Sequence, residues 1–528
     1  MTSKHAVYVW TWLPGTDEPV PCGRIDFNGG VGTFMYGDRY RERPDALPLY
    51  GIPLEPGQHT PHAGELHGSI RDGLPDAWGQ QVIASRLTGK RGRDLDTGDV
   101  DAATYMLQSG SQRFGALDFQ HSPREYVHRG NDTVTLDELA AAAAALEDGQ
   151  PIDYHTAQAL EHGTSMGGAR PKVTISDGDD HWIVKLSSSN DRTRRMRTEA
   201  AGIELARASR VDVPDVELRE NVAGRDALFV RRFDRGPGGI RKHTVSALTL
   251  MERNELTARN GSYVEIVRAM ESSGAPDGTA EALFRRIAVN IAVGNTDDHA
   301  RNHAAFWDGE SLTLTPAFDV DPCRGPSYEQ NQALAYGPGG YGAGDRASDL
   351  HRLCDFAGHY GLNRGEAESV VADVVTQVTN SWDDACDKAG LTSQERERLW
   401  GTTVMAPQTT ERLPRHVRVP ESAPGPSVDA LPSGRYLVSD DGQQRAFVVS
   451  RAKSGDTLLT EETAGTRQRV TDESARDQFA SRVSDDPTRA MAEYGKHTGR
   501  CGRCGRALSD ARSQAVGLGP SCRAALGY

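Results

Sequence analysis

No stretch of this chain approaches eighteen consecutive apolar residues, so no segment is expected to cross a membrane as a helix. The opening MTSKHAVYVWTWLPG has no long apolar run, and Pro14 and Gly15 break it early, which argues against a signal peptide. Cysteine is scarce and odd in number, seven in 528 residues. That count suits a reducing compartment better than a disulfide scaffold, and the expectation is a cytoplasmic protein. Positive charge is also short: 60 Lys and Arg face 74 Asp and Glu, a formal net charge of -14. Such a chain repels phosphate backbones unless one face is locally basic, although a small phosphate pocket remains open to it. At roughly 100–200 residues per domain, the length implies about three or four folding units.

Short apolar runs such as HAVYVW (5–10), punctuated by Gly and Pro, predict strands in the first 120 residues, with a helical stretch from near Leu74. DELAAAAAALEDG (137–149) predicts a helix ending at Gly149, read as a plain connecting helix. VTI (173–175), HWIVKL (181–186), VEL (216–218) and ALFVRRF (227–233) predict four strands, with an amphipathic helix at 194–209 between the second and third. Residues 245–405 read as mostly helical, with a helix around 282–294 closed by Gly294. The expected division is 1–125, a β-rich subdomain; 126–240, a strand-rich lobe; 241–408, a helical lobe; 409–434, a Pro/Ser/Gly linker; and 435–528, a tail.

Four elements then occur in order. HGTSMGGARPKVTI (162–175) is a glycine-bearing turn opening into a strand, whose backbone could approach phosphate oxygens, although glycine pairs occur in many turns. Lys185 ends the strand HWIVKL and Glu199 follows on the next helix, as a strand lysine and helix glutamate do in kinases; an ordinary surface pair looks the same. NTDDHARNH (295–303) spaces Asp297 and Asn302 as a kinase catalytic loop does. There the aspartate orients the substrate hydroxyl and the asparagine reaches magnesium. LTLTPAFDVDP (312–322) leads to Asp319, where a second magnesium ligand belongs. Lys185, magnesium and Arg301 would handle the charge of the moving phosphoryl group.

At these residues the sequence resembles the HipA family of bacterial toxin kinases. GTSMGGARPK, IVKLSSSND, TEAAGIELARA, VDVPDVEL, FVRRFDR, NTDDHARNHAAF and LTPAFDVDP follow the family's order, and LPDAWG (74–79) and RFGAL (113–117) also look like family features. The resemblance covers roughly 1–405 and implies an α+β, bilobal protein-kinase-like fold with a β-rich N-terminal subdomain. It implies a serine/threonine kinase with Asp297 catalytic, Asn302 and Asp319 on magnesium, and Lys185, partnered by Glu199, on ATP phosphates. Further ATP contacts are implied at Ser165, Met166, Gly167, Gly168, Ala169, Arg170, Lys172, His299 and Arg301, with Arg231, Arg232, Phe233 and Asp234 as the hinge beside adenine. It also implies autophosphorylation of Ser165, a small HipB-like helix-turn-helix antitoxin, and a protein substrate among components of translation such as an aminoacyl-tRNA synthetase. About a hundred residues follow where the family's arrangement normally ends.

In that tail, GRYLV (434–438) and RAFVVS (445–450) predict a small β-rich unit. Cys501, Cys504 and Cys522, with His497 as nearest fourth donor, have the makings of a structural zinc site at about 495–528. The end resembles short zinc-ribbon-like modules appended to phage and actinobacterial proteins, with Gly519 and Pro520 before the last cysteine. Its basic residues admit nucleic-acid contact without assigning it. Two other readings stay open. One is a metal-dependent hydrolase using Asp297, Asp298, His299 and His303, with the histidines at i and i+4 of a helix. The other is a nucleotide-binding pseudokinase whose zinc tail selects a partner.

Overall fold

The computed structural model describes residues 6–526 apart from 63, 91, 131–133, 149, 151–159, 161–169, 189–190, 192–193, 324–329, 339–344, 414–427, 441–442, 453–456, 464–465 and 485. The chain divides into two compact units, Met1–Val378 with Thr402–Val419, and Thr379–Gly401 with Pro420–Tyr528.

The first unit opens on strands β1 (Ala6–Trp12), β2 (Pro19–Asn28) and β3 (Val31–Tyr36). Helices α1 (Ala77–Thr88) and α2 (Ala102–Gln108) follow, and then β4 (Leu117–Gln120), which closes an antiparallel sheet of order β3-β2-β1-β4. Alternation puts Val7 and Val9 into the core. A register shift between Val9 and Trp10 breaks it, so that Trp10, Thr11 and Trp12 are all buried.

Helix α3 (Leu136–Glu147) is the predicted alanine helix, begun by a capping box between Thr135 and Glu138. It is more than a connector. Leu139, Ala140, Ala142 and Ala143 join a core cluster with Trp78, Val173, Val184 and Phe229. Small side chains let the helix lie close against a second sheet. That sheet comprises β5 (Lys172–Asp177), β6 (Asp180–Leu186), β7 (Val216–Val222) and β8 (Arg225–Arg231), in order β5-β6-β8-β7. Helix α4 (Arg195–Ala208) connects β6 to β7.

Next come β9 (Thr244–Ser246), α5 (Tyr263–Ser272), α6 (Thr279–Val293), β10 (Ala304–Trp307), β11 (Leu312–Leu314) and α7 (Arg364–Lys388). Helix α6 is apolar over most of its surface and correspondingly buried from Phe284 to Val293 except Arg285. Gly294 ends it at φ 75°, and a Cβ there would lie 2.3 Å from the Thr403 carbonyl oxygen, so glycine is required on two counts.

The second unit carries an antiparallel meander, β12 (Gly434–Asp440), β13 (Gln443–Arg451), β14 (Thr457–Thr463) and β15 (Thr466–Arg469), then α8 (Glu473–Val483), α9 (Pro487–Thr498) and α10 (Ala511–Val516). Tyr436, Phe447, Leu459, Phe479 and Met491 share one core with Cys501, Leu508 and Leu518, so the sheet and the cysteine segment are a single folded body. Val428 and Leu431, assigned above to the linker, are buried in that core because both are apolar and adjoin β12.

Candidate active site

A cleft in the first unit brings together residues from three stretches of chain. Asp72, Leu74, Asp76 and Phe114 come from the N-terminal part, Lys172, Ile183, Lys185 and Val230–Phe233 from the second sheet and the residues just after it, and Ser246, Arg301, Phe318 and Asp319 from later in the chain.

Lys172 and Lys185 are register partners across β5 and β6, which puts both ammonium groups on one face of the sheet. Lys172 Nζ donates to Asp76 Oδ2 at 2.9 Å, with both side chains 4% exposed. Lys185 Nζ donates to Glu199 Oε1 at 2.5 Å and also to Asp319 Oδ1. Glu199 reaches this point because of Gly202, one turn further along α4. A Cβ at Gly202 would lie 2.3 Å from the Val320 carbonyl oxygen, so only glycine lets the helix approach the chain at Asp319. Burial works against the Lys185 ammonium, but Asp319 and Glu199 together raise its pKa. Burial raises Glu199, with Asp319 and Asp321 adding to it against the pull of Lys185. Burial likewise opposes the Asp319 carboxylate, yet Lys185 brings it below the ordinary range.

Asp319 adopts φ 61°, a left-handed conformation that costs a non-glycine residue on the order of 1–3 kcal/mol. Its carbonyl accepts from Asn295 Nδ2 at 3.2 Å, and Asn295 in turn donates to Asn290 Oδ1 of α6 at 3.0 Å. The end of α6 thus fixes the backbone of Asp319.

The segment Asn295–His303 is a loop with one 3-10 turn, Ala300–Asn302. Asp297 is exposed, and its carbonyl accepts from Asn302 Nδ2 at 3.1 Å. With the amide nitrogen so engaged, Asn302 has its oxygen left for a cation. Asp298 serves the scaffold: it is 2% exposed and accepts from Tyr263 Oη and from Asn290 Nδ2 at 2.6 Å. His303 Nε2 lies 2.9 Å from Asp298 Oδ1. His299 Nδ1 is buried with no partner among the described residues, and its ring is near enough to help hold Asp319 low. Arg301 Nε donates to Glu255 Oε1 at 2.6 Å, and its Nη1 lies 3.9 Å from Asp72 Oδ1. The helix-borne histidine pair expected of a hydrolase is absent. His299 precedes the 3-10 turn and His303 follows it, so the two do not sit one helical turn apart on one face. Among the described residues, no cluster of metal donors includes Asp297, Asp298, His299 or His303.

The four residues expected to form a hinge divide. Arg231 is exposed and pairs with Asp180. Phe233 lies 5.4 Å, centroid to centroid, from Phe318 in the cleft wall. The Arg232 and Asp234 side chains are instead committed to a buried hub. Asp234 accepts from Arg232 Nε at 2.9 Å, Arg235 Nη1 at 2.9 Å and Gly115 N at 2.8 Å. Arg232 and Arg235 also donate to carbonyls at Gln112, Arg113 and Gly115. Arg170 pairs with Asp191 at 2.8 Å. Ser165, Met166, Gly167, Gly168 and Ala169 lie outside the described residues.

Sequence reasoning missed Asp72, Asp76, Phe114, Ile183, Val230 and Phe318 as cleft residues. Period two from Lys185 points to Ile183, and register with Ile183 points to Val230. Nothing local marks Phe114 or Asp72, which tertiary packing carries in.

In the second unit, the Sγ atoms of Cys501, Cys504 and Cys522 lie within 4.8 Å of one another. Gly519 N donates to Cys501 Sγ at 3.4 Å, a contact that favours a thiolate. His497, expected as the fourth donor, is not among these ligands: it lies in the last turn of α9, exposed to solvent.

Residues 164–382 match the HipA-like C-terminal domain, and 491–527 match a family of unknown function, DUF6011. A protein of Sinorhizobium fredii (strain NBRC 101917 / NGR234) named "Putative kinase Y4mE" is 22% identical over 324 residues, 56% of this chain and 73% of that one. A chain in the complex of the Shewanella oneidensis MR-1 toxin–antitoxin system HipA, HipB and its operator DNA aligns with a TM-score of 0.54 at 16% identity, over 75% of this chain and 96% of that one. That identity speaks to fold alone. Residues 164–382 thus match a HipA-like C-terminal domain, set in a bilobal kinase-like fold similar to that of the Shewanella HipA chain.

Proposed function

We propose that this protein is an ATP- and magnesium-dependent serine/threonine kinase of HipA type, acting as a toxin on a cytosolic protein. The observation that carries the reading is Lys185 held between Glu199 and Asp319 in the cleft, beside the Asp297–Asn302 loop. Lys185 and Lys172 would bind the nucleotide phosphates, and Ile183, Val230, Phe233 and Phe318 would enclose the base. Asn302 and Asp319 offer the oxygen donors a hard dication takes, and bound magnesium would neutralise phosphate charge. Asp297, exposed on its loop, would orient the incoming hydroxyl and receive its proton. The glycine-bearing turn would cover the phosphates and carry the autophosphorylated Ser165, where an added charge of about −1.5 to −2 would oppose ATP.

By analogy with the Shewanella complex, a small HipB-like antitoxin is the proposed partner. The substrate class carried over from the resemblance is a translation protein such as an aminoacyl-tRNA synthetase. Cys501, Cys504 and Cys522 would hold one structural zinc ion, with a fourth donor other than His497. The test is incubation with labelled ATP and magnesium. Parent protein should label itself on Ser165, read by mass spectrometry, while Asp297→Asn should bind ATP and transfer nothing. Near-normal transfer by Asp297→Asn would overturn the mechanism. Nucleotide binding without transfer by the parent would favour the pseudokinase reading.

A further inference from the structure

The cysteine-bearing end of the second unit reverses the charge of the rest of the chain. Residues 496–526 contain Lys496, Arg500, Arg503, Arg506, Arg512 and Arg523 against a single acid, Asp510, in a protein of net charge -14. The fold gathers four of these charges, Arg500, Arg503, Arg506 and Arg523. The loop from Arg500 to Ala507 closes on itself through Cys501 N to Arg506 O at 2.8 Å and Gly505 N to Cys501 O at 2.8 Å. Because the three sulfurs lie within 4.8 Å, Arg523, next to Cys522, is drawn to the loop that bears Arg500, Arg503 and Arg506. Arg435 of β12 joins them, its guanidinium packed on Gly505 so closely that a Cβ there would lie 2.3 Å from Arg435 Cζ.

Little of this charge is neutralised. Lys496 pairs with Glu493 at 2.8 Å, Arg500 Nε donates to the Gly505 carbonyl, and Asp510 lies near Arg523. Among the described residues, Arg503, Arg506 and Arg512 form no ion pair with a carboxylate, and Arg506 and Arg512 are exposed. Among the described residues, none of the exposed large hydrophobic ones, Leu87, Val127 and Leu256, lies in this region, so the surface suits a polyanion better than an apolar protein face. Helix α10, the longest helix after Arg500, has six residues, too short to read a major groove.

We infer that this end binds the phosphate backbone of nucleic acid, without base or sugar selection. This is a function separate from phosphoryl transfer. With about three or four phosphates contacted, log K should fall against log salt with a slope of roughly −2 to −3.

The experiment is fluorescence anisotropy of the full chain with labelled oligouridine and oligothymidine of equal length across a salt series, with duplex DNA and poly-glutamate as competitors. The variant is Arg503→Glu/Arg506→Glu/Arg512→Glu, accepted only if its far-UV spectrum and kinase self-labelling match the parent. Expected are similar affinities for the two oligomers, the stated slope, and weakening of about tenfold or more in the variant. Equal binding by parent and variant, or no binding at low salt, would overturn the inference. So would affinities for the two oligomers that differ tenfold or more, since that would be selection of base or sugar. Poly-glutamate competing as well as either oligomer would also overturn it and mark the surface as one for acidic proteins.

Discussion

Asp234→Asn separates two roles for the hinge. The family resemblance places Asp234 beside adenine, whereas its carboxylate is fully buried between Arg232, also 0% exposed, and Arg235, 3% exposed. The substitution preserves shape and removes the charge facing both guanidinium groups. Breaking a buried pair by neutralising one partner costs about 3–5 kcal/mol. Here both arginines keep carbonyl acceptors at Gln112, Arg113 and Gly115, so the lower end, about 3 kcal/mol, is the expected loss. Thermal and urea denaturation would measure it, and ATP affinity would be read where both proteins are folded. Stability should fall while the ATP Kd changes by less than about threefold, well under the tenfold that 1.4 kcal/mol represents. Parental stability with an ATP Kd raised tenfold would refute the reasoning and make Asp234 a nucleotide ligand.

Acid provides a second check. Burial opposes the Asp234 carboxylate, but Arg232 and Arg235 hold its pKa far below the ordinary aspartate range. A depressed carboxylate pKa contributes stability that is present above the unfolded value, about 3.9, and is lost as pH falls through the folded one. The parent should therefore lose more stability than Asp234→Asn on acidification below pH ~4.

Asp319→Ala should weaken magnesium-ATP binding itself, measured by calorimetry with and without magnesium, and a magnesium-dependent affinity equal to the parent's would contradict its assignment. Gly202→Ala should push α4 from Val320 and displace Glu199 from Lys185, lowering transfer at least tenfold and stability by about 2 kcal/mol or more. Unchanged rate and melting temperature in that variant would show that the approach is not needed. Protein purified under reducing conditions without chelator should contain one zinc per chain, lost in Cys501→Ser, and metal analysis finding none would end that assignment. Because Cys501 is 1% exposed in the core shared with Tyr436 and Phe479, its loss should destabilise the whole second unit, as limited proteolysis would report.

Local chemistry decided a good deal by itself. Period-two apolar runs placed β5, β6 and β8, and the approach of apolar residues to Gly294 placed the end of α6, because these signals depend on neighbours within one element. The Asp297-to-Asn302 spacing and the closeness of Cys501 and Cys504 are likewise properties of short segments. What each residue touches was decided by packing across the chain. Nothing in DELAAAAAALE tells a connector from the backing of a sheet; that depends on Val173 and Phe229 meeting its alanines. The family resemblance put Asp234 beside adenine, and nothing local shows that Arg113 and Gly115, more than a hundred positions earlier, accept or donate where it points and so draw its side chain into a hub. His497 lies four residues before Cys501, near in sequence, yet the last turn of α9 presents it to solvent while Cys522, twenty-one residues on, returns to the thiols. Contacts of long sequence separation are set by how whole elements pack, and a residue's immediate neighbours carry no record of them.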